Sequence, residues 1–176
     1  MMTESPPSPP AATALTGLLP EELTASLTAA GEKPYRAKQV QEWVFQKRVT
    51  SYAEMTNLPA SLRESLAATH PFHSLKTAKI QGAKDTTRKF LFRLHDGRYV
   101  ESVLIPANKG FMGNQSDRLT LCVSSQVGCA YDCKFCASGL AGFTRNLRAD
   151  EIVEQVMAAE REAGERIDNI VFMGMG

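Results

Sequence analysis

"RLTLCVSS" (Arg118–Ser125) is a short apolar run that closes on two serines, and the three segments after it decide the fold. They are "VGCAYDCKFCASG" (Val127–Gly139), "RADEIVEQVMAAEREAGE" (Arg148–Glu165) and "IDNIVFMGMG" (Ile167–Gly176). The opening run and the last segment are brief and apolar, and both predict buried strands. The stretch from Arg148 predicts an amphipathic helix with Asp150 as N-cap, Ile152, Val153, Val156 and Ala159 along one face, and Gly164 as its stop. Strand, long loop, helix, strand is a βαβ unit, the building block of parallel sheets. The fold class is therefore α/β. Two parallel strands cannot bury both faces of a sheet, so a larger domain is expected to continue past Gly176.

Upstream the period changes. In "RKFLFRLHDGRYVESVLIP" (Arg88–Pro106), Phe90, Phe92 and Leu94 alternate with Lys89, Leu91 and Arg93. Asp96-Gly97 predicts a type I′ turn and a β-hairpin. On the return strand Val100, Ser102 and Leu104 share one face, and Glu101, Val103 and Ile105 the other. A carboxylate at Glu101 among apolar neighbours is an anomaly that a solvent-facing position would remove. "ANKGFMGNQSD" (Ala107–Asp117) is polar, Gly-containing and predicts a loop.

Three helices are expected before the hairpin. "PEELTASLTAAG" (Pro20–Gly31) carries Leu23 and Leu27 four apart and ends on glycine. "YRAKQVQEWVFQKR" (Tyr35–Arg48) places Ala37, Val40 and Val44 on one face, with Trp43 and Phe45 read as core residues. A third helix after Pro59 buries Leu62 and Leu66. The expected organisation is a disordered Pro- and Ser-rich tail over 1–14, a helical accessory domain over 15–74, a hairpin and loop linker over 75–116, and the start of the α/β domain over 117–176.

Composition narrows the function classes. Of 176 residues 43% are hydrophobic and 22% charged, enough to bury a core. No apolar run is long enough to cross a bilayer, and "MMTESPPSPPAATA" lacks the n- and h-regions of a secretory signal. Cytoplasm is the expectation, and thiols stay reduced there. The net charge of +1 hides a division: seven Lys and Arg lie between Lys76 and Arg98 against Asp85 and Asp96, whereas Asp150 to Arg166 is mostly acidic. A basic first half suits a phosphate backbone, and equally a solvated surface.

The four cysteines carry the chemistry. Cys129, Cys133 and Cys136 form C-x-x-x-C-x-x-C, with Cys122 in the preceding strand. Structural zinc prefers four closed ligands, commonly two C-x-x-C pairs; only Cys133 and Cys136 form one here, and no histidine is near. Three thiolates from one tight loop suit a cubane iron–sulfur cluster better, leaving one iron open for a substrate or cofactor. Zinc, and thiols without any metal, remain the rival readings. The loop follows a strand, at the end of the sheet where α/β active sites form.

C-x-x-x-C-x-x-C after a β-strand resembles the signature of the radical S-adenosylmethionine (SAM) enzymes. "LCVSSQVGCAYDCKFCASGLAGFTRNL", "YVESVLIP" and "NIVFMGMG" narrow the resemblance to the RlmN/Cfr family of radical SAM RNA adenine methyltransferases, over roughly Leu15 to Gly176. "GFTRNL" is more similar to the RlmN branch, which makes 2-methyladenine, than to the Cfr branch, which methylates C8. The resemblance implies the opening of a partial (β/α) barrel and a 4Fe-4S cluster on Cys129, Cys133 and Cys136. It implies SAM bound at that cluster and along "GMG", through Gly174 and Gly176. It gives Glu101 the role of proton acceptor and Cys122 a role in resolving a protein–RNA adduct formed through a methyl-cysteine. The implied partners are 23S rRNA, tRNA and an electron donor such as flavodoxin, with the protein a monomer and the basic helical and hairpin segments gripping RNA. Two departures stand out. The 107–117 loop reads as an insertion, and all four cysteines already match other roles, so none is left to carry the methyl group. The chain taken alone is accordingly expected to lack methyltransferase activity. A non-catalytic RNA-binding module holding zinc is the alternative from a different class.

Overall fold

A computed structural model of the chain describes residues 12–83, 87–107, 118–140 and 142–176. The chain divides into two compact units, Met1–Phe72 and His73–Gly176. Of the expected disordered tail over 1–14, residues 1–11 lie outside the described residues, as does the loop at 108–117; Ala14, at the end of that tail, is fully buried.

The first unit is helical. Helix α1 (Pro20–Ala29) buries Leu23 and Leu27 and ends as its sequence predicts. Gly31 takes φ +84°, its N–H donates to the Thr28 carbonyl, and the Glu32 N–H donates to Leu27. That pair of bonds is a Schellman cap, which needs a residue free to adopt the left-handed region. Helix α2 (Tyr35–Gln41) continues as a π turn over Glu42–Gln46 and buries Ala37, Val40 and Val44. Trp43 and Phe45, expected in the core, are only half-buried. The widened turn directs the Trp43 indole to Asn57 Oδ1, and Lys47 Nζ sits 3.5 Å above its ring. Helix α3 (Ala60–Thr69) follows Pro59 and buries Leu62 and Leu66.

The second unit is a five-stranded sheet with one helix on it. Its strands are β1 (Leu75–Gln81), β2 (Arg88–Leu94), β3 (Tyr99–Pro106) and β4 (Leu119–Val123); a small ribbon, β5 (Gln126–Gly128) with β6 (Phe143–Asn146), comes next. Helix α4 (Ala149–Ala163) then leads to β7 (Asn169–Phe172). The sheet order is β1-β2-β3-β4-β7. Only β4 and β7 are parallel; the other pairs are antiparallel. The expected hairpin is therefore not a linker but part of one sheet with the βαβ strands, extended by a strand at 75–81 that the sequence reading missed. One face of each strand meets α4: Phe90, Phe92, Val100, Leu104, Leu121 and Val123 form the core with Ala158 and Ala159.

Two local expectations are corrected. The Gly97 N–H donates to Leu94, the Leu94 N–H donates to Arg98, and only Gly97 of the loop has positive φ (+81°). This is a three-residue loop with a glycine bulge, not a type I′ turn, because Asp96 keeps negative φ and its carboxylate accepts from the Arg98 N–H. In α4 the N-cap is Arg148, and Asp150 lies inside the first turn. The deepest residues of α4 are Asp150, Glu151, Glu154, Gln155, Met157, Ala158 and Ala159, while Ile152, Val153 and Val156 are only half-buried. The helix is rotated from its hydropathic expectation because its buried carboxylates are held by Arg145, Arg148, Arg161 and His73.

Glu151 is fully buried and accepts from Arg145 Nη1 and Nη2 at 2.8 and 2.9 Å and from the Arg148 N–H. Arg145 also grips Asp96 at 2.8 Å, tying β6, α4 and the β2–β3 loop together. The hydrogen bonds to Glu151 lead in raising the Arg145 guanidinium well above its ordinary range. Burial alone would raise the Asp96 carboxyl, but the Arg98 amide and Arg145 outweigh it and hold it below the usual carboxylate value. Arg145→Met is expected to cost roughly 2–4 kcal/mol, a little under the range for breaking a fully buried pair because Arg145 is partly exposed. Urea unfolding followed by circular dichroism measures it. The sign of the pH dependence is set by the lowered Asp96 value. Its contribution is whole above about pH 4 and is lost as pH falls through the folded value, so the variant has the shallower acid limb.

Candidate active site

The site is built where β4 ends. Ser124 is fully buried. Its N–H donates to Gln155 Oε1 at 2.9 Å, and its carbonyl accepts from Gln155 Nε2 at 3.0 Å. Its hydroxyl donates to the Glu101 carbonyl at 2.7 Å and accepts from the Met175 N–H at 3.1 Å. Gln155 Oε1 also receives the Ser102 hydroxyl at 2.8 Å. One serine and one helix amide thus lock β3, β4, α4 and the segment after β7 into a single register.

"GMG" lies flat against this junction. A Cβ on Gly174 would stand 2.6 Å from Ser124 Oγ and 2.8 Å from the Val123 carbonyl, so only glycine allows the approach. The Met175 carbonyl receives the Ser125 and Gln126 N–H groups at 2.9 and 3.0 Å. Gly176 comes next, with φ +121°, beside Ser125 and Gln126.

The cysteine loop is pinched at its root. Gly128 has φ +72°, and a Cβ there would fall 1.8 Å from the Gly142 carbonyl, which accepts from the Cys129 N–H at 3.1 Å. The Cys136 N–H donates to the Cys133 carbonyl at 3.0 Å, and Asp132 turns the chain with φ +48°. Cys129, Cys133 and Cys136 are each partly exposed, and none of the four cysteines is in a disulfide. Phe135 stands 94% exposed and Tyr131 76%. Among the described residues no three His, Cys, Asp or Glu side chains converge on a point that would hold a metal ion. The donor set nonetheless suits an iron–sulfur cluster: three accessible thiols on one loop, with no carboxylate or imidazole among the described residues arranged to complete a zinc site.

Glu101 and Cys122 lie on the sheet face opposite α4. Val103 pairs with Cys122, so the residue two before Val103, Glu101, shares that face. The Glu101 carboxylate is 41% exposed and 2.9 Å from Lys89 Nζ, which resolves its sequence anomaly. A cleft of about 610 Å³ is lined by Lys89, Tyr99, Glu101, Gly128 and Met175 among others. It brings together the carboxylate, the root of the cysteine loop and the middle of "GMG". Cys122 is buried in the sheet and does not line the cleft. Sequence reading missed Lys89, Ser124 and Gln155. Lys89 shares strand parity with Leu91, the cross-strand partner of Glu101, which is the one signal that could have revealed it.

Known proteins share this arrangement. A crystal structure of a radical SAM methyltransferase from Sphaerobacter thermophilus superposes with a TM-score of 0.82 at 44% identity, covering 93% of this chain and 47% of that one. The chain thus shares its fold with about half of a radical SAM methyltransferase. Residues 13–70 match the ribosomal RNA large subunit methyltransferase N-terminal domain. The probable dual-specificity RNA methyltransferase RlmN of Akkermansia muciniphila is 52% identical over 162 residues, 92% of this chain and 45% of the relative. The dual-specificity RNA methyltransferase RlmN of Geobacter sulfurreducens is 48% identical over 160 residues, 91% of this chain and 42% of the relative. The chain is similar to the RlmN methyltransferases over about nine tenths of its own length, and it spans less than half the length of these relatives.

Ser124→Ala removes one acceptor and one donor from this buried junction. It is expected to lower stability by roughly 1–3 kcal/mol, the cost of leaving buried polar groups unsatisfied. Urea midpoints at neutral pH measure it, and an unchanged midpoint would show that the junction does not hold the strands.

Proposed function

We propose that a protein carrying this chain is a radical SAM methyltransferase that methylates C2 of an adenine in 23S rRNA and in tRNA, by way of a methyl-cysteine. The observation that carries this reading is the C-x-x-x-C-x-x-C loop rooted at the end of β4, beside a cleft that holds Glu101, in a chain 52% identical to an RlmN. Cys129, Cys133 and Cys136 would hold the 4Fe-4S cluster. When bound, that group supplies the one-electron cleavage of SAM that makes a radical able to abstract hydrogen from a methyl group.

The chain's own residues do the rest. Gly174 and Gly176 flank Met175, the residue of this segment that lines the cleft, and would bind the SAM amino group through their backbone. Glu101 takes the proton released when the base regains aromaticity, and Lys89 at 2.9 Å holds its carboxylate in place. Cys122 resolves the protein–RNA adduct. The methyl-carrying cysteine is then a residue other than these four, supplied by a part of the protein outside this chain's match to its relatives. The partial (β/α) barrel that β4, α4 and β7 begin would enclose the flipped adenine. An electron donor such as flavodoxin, a monomeric protein and a cytoplasmic location complete the proposal. Among the described residues no helix is long and apolar enough to cross a membrane.

Anaerobic reconstitution with iron and sulfide should give about four irons per chain. The iron should be lost in Cys129→Ala, Cys133→Ala and Cys136→Ala and kept in Cys122→Ala. Zinc without iron or labile sulfide would overturn the reading in favour of a zinc-binding module. In a protein of the relatives' full length, Glu101→Gln is expected to reduce 2-methyladenosine formation by roughly 10²–10⁴-fold with iron content unchanged. Mass spectrometry of digested RNA reads both the loss and the position of the methyl group, and 8-methyladenosine would overturn the C2 assignment.

A further inference from the structure

The sheet face that carries Glu101 also carries a row of cations. Direct partners in an antiparallel pair share a face. Lys76 pairs with Arg93, Lys79 with Leu91, and Arg93 in turn with Tyr99. All of these lie on the side of Glu101, opposite α4, because Phe90, Phe92 and Leu94 between them point into the core. Lys76, Lys79 and Arg93 are exposed and have no ion-pair partner among the described residues; Glu101, the carboxylate on the same face, is taken by Lys89.

Lys76 opposite Arg93 is unfavourable by itself, since like charges directly across a strand pair repel. A phosphate between them would remove that repulsion. Tyr99, 46% exposed, stands next to Arg93 and two residues before Glu101 on the same face. An exposed aromatic ring beside unpaired cations is the arrangement that single-stranded RNA uses, with bases stacked on the ring and phosphates on the charges.

We infer that the face of β1–β3 opposite α4 is a single-stranded RNA track, in which Lys76, Lys79 and Arg93 take phosphates and Tyr99 stacks a base beside the one delivered to Glu101. This rests on the proposal that the substrate is an adenine in RNA. It adds the direction of approach, from the β1 edge across the sheet to the cleft. It also adds a platform residue that neither the family match nor the cysteine motif indicates.

The test uses the full 176-residue chain and a fluorescein-labelled single-stranded RNA oligonucleotide with one central adenine, followed by anisotropy over a range of salt. The double variant Lys76→Gln/Arg93→Gln should flatten the dependence of log Kd on log salt by about 1.4, at roughly 0.7 per charge removed from a single strand. Its thermal midpoint should stay the same or rise as the like-charge pair is relieved. Tyr99→Ala should weaken binding by roughly ten-fold with the salt slope unchanged, and Tyr99→Phe should restore it. An unchanged slope in the double variant, or equal affinities for the parent chain and Tyr99→Ala, would overturn the track. Iron content read on the same preparations separates the two proposals: full iron with indifferent RNA binding sinks the track and leaves the cluster assignment standing.

Discussion

The buried carboxylate of Glu151 is the constraint on which the rest of the second unit depends. An ionised group with no solvent exposure is tolerated only when every oxygen has a charged or hydrogen-bonding partner. Glu151 meets this with Arg145, the Arg148 N–H and His95, whose Nδ1 lies 3.3 Å away. Those partners come from β6, the start of α4 and the β2–β3 loop. The adjoining β6 and α4 are therefore fixed to each other and to the β2–β3 loop, which is remote in sequence, independently of apolar packing. Glu154, one turn on, is held at one oxygen only: its Oε1 takes Arg161 at 2.7 Å and His73 at 2.9 Å, while its buried Oε2 has no hydrogen-bond partner among the described residues. The helix is held by charge at two successive turns, and its apolar residues accommodate that rotation.

The site inherits this rigidity. With α4 fixed, Gln155 reaches Ser102 and Ser124 together, and Ser124 reaches the Glu101 carbonyl and the Met175 N–H. The backbone that bears Glu101 and the backbone of "GMG" are both referenced to a single buried hydroxyl. Groups that must meet a substrate within fractions of an ångström are best placed on rigid elements with satisfied hydrogen bonds behind them. The cysteine loop contrasts with this. Its root is pinned by Gly128 against Gly142, but its three thiols are spread along exposed chain, and the convergence that a cluster requires would come from the cluster itself.

Much of this was legible in the sequence. Alternation placed Phe90, Phe92 and Leu94 inside and Glu101 outside correctly, because period-2 burial leaves a direct trace in hydropathy. Gly31 and Gly164 marked helix ends because the left-handed region selects glycine. Strand β1 was missed because "LKTAKIQ" buries only Leu75 fully and is an edge strand, with polar residues where a central strand would be apolar. The rotation of α4 was missed for the opposite reason. Asp150, Glu151 and Glu154 are charged residues in the most buried positions, and hydropathy assigns such residues to solvent. Trp43 lies beside the apolar Ala37, Val40 and Val44 face in the helical pattern, but its indole N–H needs a polar partner and finds one at Asn57 near the surface.

Parity along the sheet separates the core from the proposed site in this unit. Residues of one parity, from Phe90 through Ser102 to Val123, meet α4 and form the core; those of the other, Lys89, Glu101 and Cys122, face away from it. A one-residue slip of β3 would bury the Glu101 carboxylate against Phe92 and expose Ser102, and the core would lose Val100 and Leu104 as well. The position of the carboxylate is thus guarded by the hydrophobic pattern of its own strand. Ser102 strengthens the guard, because its hydroxyl is satisfied by Gln155 only in the native register. A carboxylate such as Glu101, the proposed proton acceptor, can hold an exposed and solvated place in a strand when its two neighbours, buried on the other side, make any other register costly.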